Sequence, residues 1–296
     1  MSQFMDGRRL IVVQPRRKSR MPLAALPFAV YAAIFIMAPL VLIVFYSVAT
    51  QNQNGAYRLT GEFFARFFNP RDPVYLIVLW RSVWQALVST AICLLLGYPM
   101  AYILSEMPPR TRGILSLLFI LPMWMNFLLR TYAWMTLLER TGVINQLLEA
   151  VGLPTQNIMY TIGAVILGNV YNFLPFMILP IYTVLTKIDP SVVEAAQDLG
   201  AGKRQVLWRV IFPLTVPGVM SGITMTFMPA VSTFVISKLL GGGQPLIGDL
   251  IESQFMAVGD WGFGSAMSVI LMVLVLLTMN FASRYEKEQE EGGRLL

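Results

Sequence analysis

Charge is scarce in this chain. Only 13% of its 296 residues are Asp, Glu, Lys or Arg, against about 25% in an ordinary soluble domain. Histidine is absent, and Cys93 is the one cysteine. These absences exclude a His- or Cys-ligated metal site, a histidine-based triad and an intrachain disulfide. No cluster of acids has a plausible catalytic spacing, so an enzyme is not expected. The Gly-rich stretch LLGGGQPLIG (239–248) lacks the GK[ST] ending of a phosphate loop. Cys93 sits in an apolar run and reads as a small buried hydrophobe.

What is present is hydrocarbon. Hydrophobic residues make up 56% of the chain, and mean hydropathy is +0.64. That is the balance of an integral membrane protein. A bilayer-spanning helix needs about 20 mostly apolar residues. Six segments qualify, near 23–49, 82–105, 113–138, 160–186, 210–237 and 261–283. Prolines interrupt them at Pro39, Pro99, Pro122, Pro175, Pro180, Pro217 and Pro229. Membrane bundles tolerate this because neighbouring helices re-satisfy the freed carbonyls. The expected fold is all-α. It divides into a basic cytoplasmic tail at 1–22, a six-span domain over 23–284 and a short cytoplasmic tail at 285–296.

The net charge of +6 is unevenly placed. Arg8, Arg9, Arg16, Arg17, Lys18 and Arg20 all fall in the first twenty positions. The tail could mimic the start of a signal peptide, but the apolar stretch after it is too long and lacks a small-residue cleavage site. It reads as a retained first span. With that tail inside, 15 of the 22 Lys and Arg residues fall on the cytoplasmic side. The positive-inside rule then puts both termini in the cytoplasm. The basic excess therefore reflects membrane orientation, and no nucleic-acid partner is expected.

Seven charged residues crowd into one interval, KIDPSVVEAAQDLGAGKRQVLWRVIFP, from Lys187 to Pro213. Asp189 can cap a helix that Pro190 begins. Gly200 can end it in a left-handed conformation. A second helical run from about Lys203 leads into the fifth span. By itself the pattern fits either an amphipathic surface helix or a docking element.

EAAQDLGAGKRQVLWRVIFP resembles the EAA signature of the membrane subunits of ABC importers. Glu194, Ala195, Ala196, Gly200 and Pro213 match at the family's spacing, with Val210 and Phe212 as conservative departures. LLGYPMAYIL, ILPMWMNFLLRTYAW, NFLPFMILPIY and IGDLIESQF…DWGFGSA are similar to the spermidine/putrescine branch, over about residues 60–284. The resemblance implies a six-helix type I importer domain in the bacterial cytoplasmic membrane. It implies a coupling helix, with Glu194, Ala195, Ala196, Asp198 and Gly200 meeting a separate ATPase dimer. ATP and Mg would be bound there, with no cofactor in this chain. A second, homologous permease and an external binding protein are the other implied partners.

Candidate path residues follow from polarity inside apolar spans. Asn169 and Asn172 are three apart, hence on one helical face, with Tyr171 between them. They fit either interhelical hydrogen bonding or a lining for an ammonium group. Arg130 is expected near the outer interface, about 25 Å along its span, where it can snorkel. Trp124, Tyr132 and Trp134 near it suit an aromatic belt or cation–π contacts. FFARFF (63–68) is expected along the outer interface. The loop before the last span carries Asp249, Glu252 and Asp260 against Lys238 alone. There Asp260 and Trp261 could meet a cation at the outer mouth. Gly218 and Gly222 form a small-xxx-small pair suited to a close helix contact. The alternatives are an importer for another small solute, or an ion-coupled secondary transporter. Against the latter, no span has an acid near its midplane.

Overall fold

Prolines and caps decide where these helices bend and stop. The computed structural model describes residues 26–51 and 56–292, with side chains through residue 282. The basic tail expected at 1–22 lies outside the described residues. Among the described residues, five helices are long and apolar enough to cross a bilayer, and a bent pair makes a sixth if it counts as one span.

The first helix, α1, is Leu26–Val48. It contains one wide π turn, Ala33–Met37, two residues ahead of Pro39. Proline lacks an N–H and crowds the carbonyl four residues back, and a widened turn relieves that clash. Residues up to Leu42 form one compact unit and those from Ile43 onward another. None of residues 26–42 is buried.

In the second unit the chain leaves α1 through a hairpin that was not expected. Strands β1 (Ala49–Gln51) and β2 (Tyr57–Leu59) pair antiparallel, with Ala49 opposite Leu59. Then comes α2, Glu62–Phe67. The FFARFF stretch is not simply interfacial, because Phe67 is fully buried against Ile247, Phe263 and Met267.

Three long helices make the core. They are α3 (Val74–Glu106), α7 (Ile162–Leu185) and α9 (Lys203–Ser232). Between α3 and α7 run α4 (Pro109–Trp124), α5 (Phe127–Leu138) and α6 (Val143–Ala150). The expected third span, 113–138, is therefore not one straight helix. It breaks at Met125 and Asn126, and the chain turns through 94° there. Pro122 leaves the last turn of α4 short of a donor. Asn126 then starts α5 by accepting a hydrogen bond from the Leu128 N–H at 2.8 Å.

The fifth span also differs from its expected 210–237. It starts at Lys203, passes a π turn at Leu207–Ile211 two residues ahead of Pro213, and stops at Ser232. Thr233 is extended, with ψ 137°. A short helix follows, α10 (Val235–Leu240), then α11 (Ile247–Ser253) and the last helix, α12 (Trp261–Gly292). The helix α12 continues through position 284, into the stretch expected as the C-terminal tail.

Contacts fix the directions. The Cys93 thiol of α3 faces the Val170 carbonyl of α7 at 3.8 Å, while a Cβ on Gly97 would meet Met177. So α3 and α7 run parallel. Gly218 and Gly222 of α9 face α7 in the opposite sense. A Cβ on Gly218 would lie 3.0 Å from the Pro180 carbonyl oxygen, and one on Gly222 3.1 Å from that of Met177. The small-xxx-small pair is thus a contact within this chain, as close as bare backbone allows.

Candidate functional site

The Lys187–Pro213 interval folds into a rigid element at the end of the bundle where α7 stops and α9 starts. Its helix, α8, is Pro190–Asp198. Asp189 Oδ1 accepts the Ser191 N–H at 2.9 Å, and this bond holds its carboxyl below the usual value. At the other end Ala201 N–H donates to Ala196 O at 3.0 Å, and Gly200 N–H to Gln197 O at 2.8 Å. That is the paired closure of a Schellman motif. It needs the left-handed backbone that Gly200 supplies, with φ +84°. A turn at Gly202 follows, where the Gln205 side chain accepts the Gly202 N–H at 3.0 Å, and α9 begins.

One face of α8 is anchored. Ile188, Val193, Ala196 and Ala201 pack against a core of Val206, Ile211, Val219 and the α7 residues Ile178 and Ile181. Burying that apolar face holds the element to the bundle. The opposite face is open. Glu194, Ala195, Asp198 and Gly200 are exposed, whereas Ala196 is half-buried toward the bundle. Sequence reasoning passed over Leu199, which is 90% exposed. It stands beside the exposed Glu194, Ala195 and Asp198 on the open face. The cue was available, since Leu199 lies seven residues from Val192 on the same exposed stripe.

The opposite end of the bundle holds a second polar cluster. Ile247 N–H donates to Ser82 Oγ at 2.8 Å, tying α11 to α3. Asp249 accepts from the Ser237 hydroxyl and from Leu246 N–H. Its burial pushes the carboxyl above the usual range, against the pull of those two bonds. Lys238 and Glu252 close an ion pair at 2.9 Å. The acids of this loop are therefore engaged. Asp260 pairs with Arg66 at 3.1 Å and also caps α12 through Phe263 N–H at 3.0 Å. Asp260 and Trp261 do share a cavity of about 460 Å³ with Tyr46, Tyr57 and Phe63.

The other candidate path residues sit elsewhere. Asn169 and Asn172 are buried in the bundle, at 0% and 2% exposure. Asn172 Nδ2 donates back to Gly168 O at 2.8 Å. Neither amide atom of Asn169 or of Gln85 has a hydrogen-bond partner among the described residues. Tyr171 packs edge-on to Trp134 at 5.2 Å. Trp124, at the break between α4 and α5, is 83% exposed. Arg130 lies in the first turn of α5. It is buried, with its guanidinium carbon 5.9 Å from the centre of the Phe127 ring. The 94° turn at Met125 and Asn126 changes its placement, because distance along a straight helix no longer measures depth.

A groove of about 640 Å³ runs between α4, α7 and α9, lined by Met123, Phe176, Pro180, Thr183, Pro217 and Met225, among others. Its walls are mainly apolar.

The chain matches the pattern of the family described as "Binding-protein-dependent transport system inner membrane component" over residues 93–288. It is 40% identical over 248 residues to the spermidine/putrescine transport system permease protein PotB of Haemophilus influenzae, covering 82% of this chain and 86% of that one. It is 38% identical over 269 residues to PotB of Escherichia coli, covering 88% and 97%. Its fold is similar to a chain of a bacterial ABC transporter involved in the import of the acidic polysaccharide alginate. There the TM-score is 0.71 at 19% identity, with 90% and 94% covered. A chain of the MetNI methionine ABC transporter gives 0.55 at 19% identity, with 72% and 94% covered.

Proposed function

Because this chain belongs to the family of binding-protein-dependent transport system inner membrane components, we propose that it is the permease through which an ATP-driven importer takes up polyamines. The observation that carries the substrate class is the likeness to the spermidine/putrescine permeases over most of both chains. The external binding protein delivers the cation, and a second, homologous permease completes the path as a heterodimer. Both termini and α8 face the cytoplasm.

In this reading α8 is the coupling helix. It is capped at both ends and anchored on one face, so a push on it moves α7 and α9 together. Glu194, Ala195, Asp198, Gly200 and Leu199 meet a groove on the ATPase, while Ala196 holds the helix to the bundle. The ATPase dimer binds ATP and Mg. Asp260 and Trp261 belong to the mouth, where aromatic faces of Tyr46, Tyr57 and Phe63 can attract an ammonium group. Trp124 and Tyr171 stand along the path. Asn169 and Asn172 act from behind it, holding helices whose spacing the path depends on.

The test is uptake by the assembled complex in proteoliposomes. Labelled spermidine or putrescine should accumulate only with the binding protein and ATP, and should still do so after ionophores collapse ion gradients. Uptake driven by a gradient without ATP, or no uptake of either polyamine, would overturn the reading.

A further inference from the structure

Arg130 is a buried cation that lacks a counter-charge. The residue is 8% exposed, and its Nε and Nη1 are enclosed with no hydrogen-bond partner among the described residues. The guanidinium carbon lies 5.9 Å from the centre of the Phe127 ring, at the outer limit of a cation–π attraction. Arg130 also sits in the first turn of α5, where the helix dipole adds further positive charge. A buried charge left unpaired is costly, so this side chain calls for an anion. Its planar fork of donors matches a carboxylate.

The spans of this chain have no such group to give. The helices α1, α4, α5, α7 and α9 contain no Asp or Glu, α3 has only its last residue, Glu106, and α12 has none before Glu286. Glu139, the acid nearest to Arg130 in the sequence, follows the far end of α5, about 14 Å along at 1.5 Å per residue. In the outer connection Asp260 is held by Arg66, Glu252 by Lys238, and Asp249 by Ser237 and the Leu246 N–H. A second copy of this chain would bring the same shortage.

Arg130 also stands at the border of an uncovered face. On α5, Thr131 is buried and Phe127 and Trp134 pack against the core, whereas Leu128, Leu129, Tyr132 and Ala133 are exposed. Trp124 and Met125, at the break before α5, are exposed as well. At 3.6 residues per turn, Arg130 falls between the two sets, beside Leu129 and Ala133. Lipid tails can cover the apolar residues, but hydrocarbon offers a guanidinium no acceptor. A protein surface that carries one carboxylate satisfies both. We propose that the second permease covers this face of α5 and places a carboxylate against Arg130, and that this ion pair selects a different, homologous chain over a second copy of this one. The inference rests on the heterodimer of the reading above and is independent of the substrate. Pairing of like with like would leave the guanidinium buried and unpaired, which is one way an interface rejects a wrong partner.

The experiment measures assembly. The chain is tagged in cells that make the complete importer, and the second permease recovered with it is quantified. Arg130→Gln and Arg130→Met remove the charge and should lower that recovery about tenfold or more, because a carboxylate left alone in a buried pair is strongly destabilising. Each Asp and Glu in the apolar spans of the second permease is then changed to Asn or Gln. One of these changes should reproduce the loss, and Arg130→Glu combined with Arg at that position should regain most of it. A photoreactive benzoylphenylalanine at Leu129 should crosslink to the second permease. The full chain made alone separates pairing from folding. There Arg130→Met should unfold at the same temperature as the unmodified chain or higher, since it removes an unpaired buried charge. A lower temperature would show that Arg130 serves this chain's own fold, and would overturn the proposal. So would undiminished recovery with the Gln and Met variants, or crosslinks from Leu129 to lipid alone. Recovery of a second, differently tagged copy of the unmodified chain in place of another permease would overturn the heterodimer reading itself.

Discussion

Arg66 and Asp260, 194 residues apart in the chain, meet at 3.1 Å and fasten α2 to the first turn of α12. The same guanidinium lies 4.2 Å from the centre of the Phe263 ring. Asp260 thus has two structural partners, the arginine and the Phe263 N–H, and its charge is matched locally.

Those two partners can be separated by substitution. Asp260→Asn keeps an oxygen for the cap and loses the ion pair, which is partly exposed. Exposed pairs contribute about 0–1 kcal/mol, so thermal unfolding of the purified protein should shift little, and less at high salt. Asp260→Ala also loses the cap, costing about 1 kcal/mol more. Equal shifts for both variants would mean the cap contributes nothing.

Gly200 is constrained by its backbone rather than by space. Nothing within 4 Å would meet an added Cβ, but φ is +84°. Gly200→Asn should be tolerated, because Asn visits the left-handed region, while Gly200→Val should cost about 1–2 kcal/mol locally and open the end of α8. The expected outcome is a complex that assembles, with transport and substrate-stimulated ATP hydrolysis reduced more than protein level. Normal coupling in the valine variant would remove α8 from the coupling role.

Asp249 predicts a pH dependence. Its carboxyl is raised above its ordinary 3.8, mainly by burial. The fold therefore holds this proton more tightly than the unfolded chain does. Its contribution to stability is greatest below 3.8. It falls as pH rises through the raised value, then stays constant. Asp249→Asn should flatten that part of the unfolding-temperature profile. An unchanged slope would show that Asp249 is not its source.

Close approach of α7 and α9 should make Gly218 intolerant. A Cβ there would meet Val184 at 2.9 Å, the Pro180 carbonyl at 3.0 Å and Ile181 Cα at 3.2 Å, two of them backbone atoms. Overpacking of this kind costs about 1–3 kcal/mol, so Gly218→Ala should lower the unfolding temperature and the yield of complex. Gly222→Ala should cost less, because its nearest neighbour is the flexible Met177 sulfur at 2.8 Å.

The orientation is open to direct labelling. Cysteines placed at Lys203 and Gln244, with Cys93 replaced by alanine, lie at opposite ends of the bundle. An impermeant thiol reagent on cells with a permeable outer envelope should label position 244 and spare 203. Labelling of 203 would reverse the topology and the assignment of α8 to the ATPase.

The sequence by itself determined the class of the protein, most of the spans and the EAA segment. Hydropathy runs, Asp189–Pro190 and Gly200 are local signals, and each acts within a turn or two of its own position. The sequence could not separate lipid-facing from bundle-facing residues, because both are apolar in a membrane. Nor could it show where a helix runs on through a proline, as α3 does through Pro99, and where the chain breaks, as it does three residues after Pro122. Only the tertiary structure decided that Arg130, Asn169 and Phe67 are buried, that Gly218 and Gly222 face α7, and that Asp260 is paired with Arg66. Each of those outcomes depends on a partner far away in the chain, and residue spacing carries no record of which distant surfaces will meet.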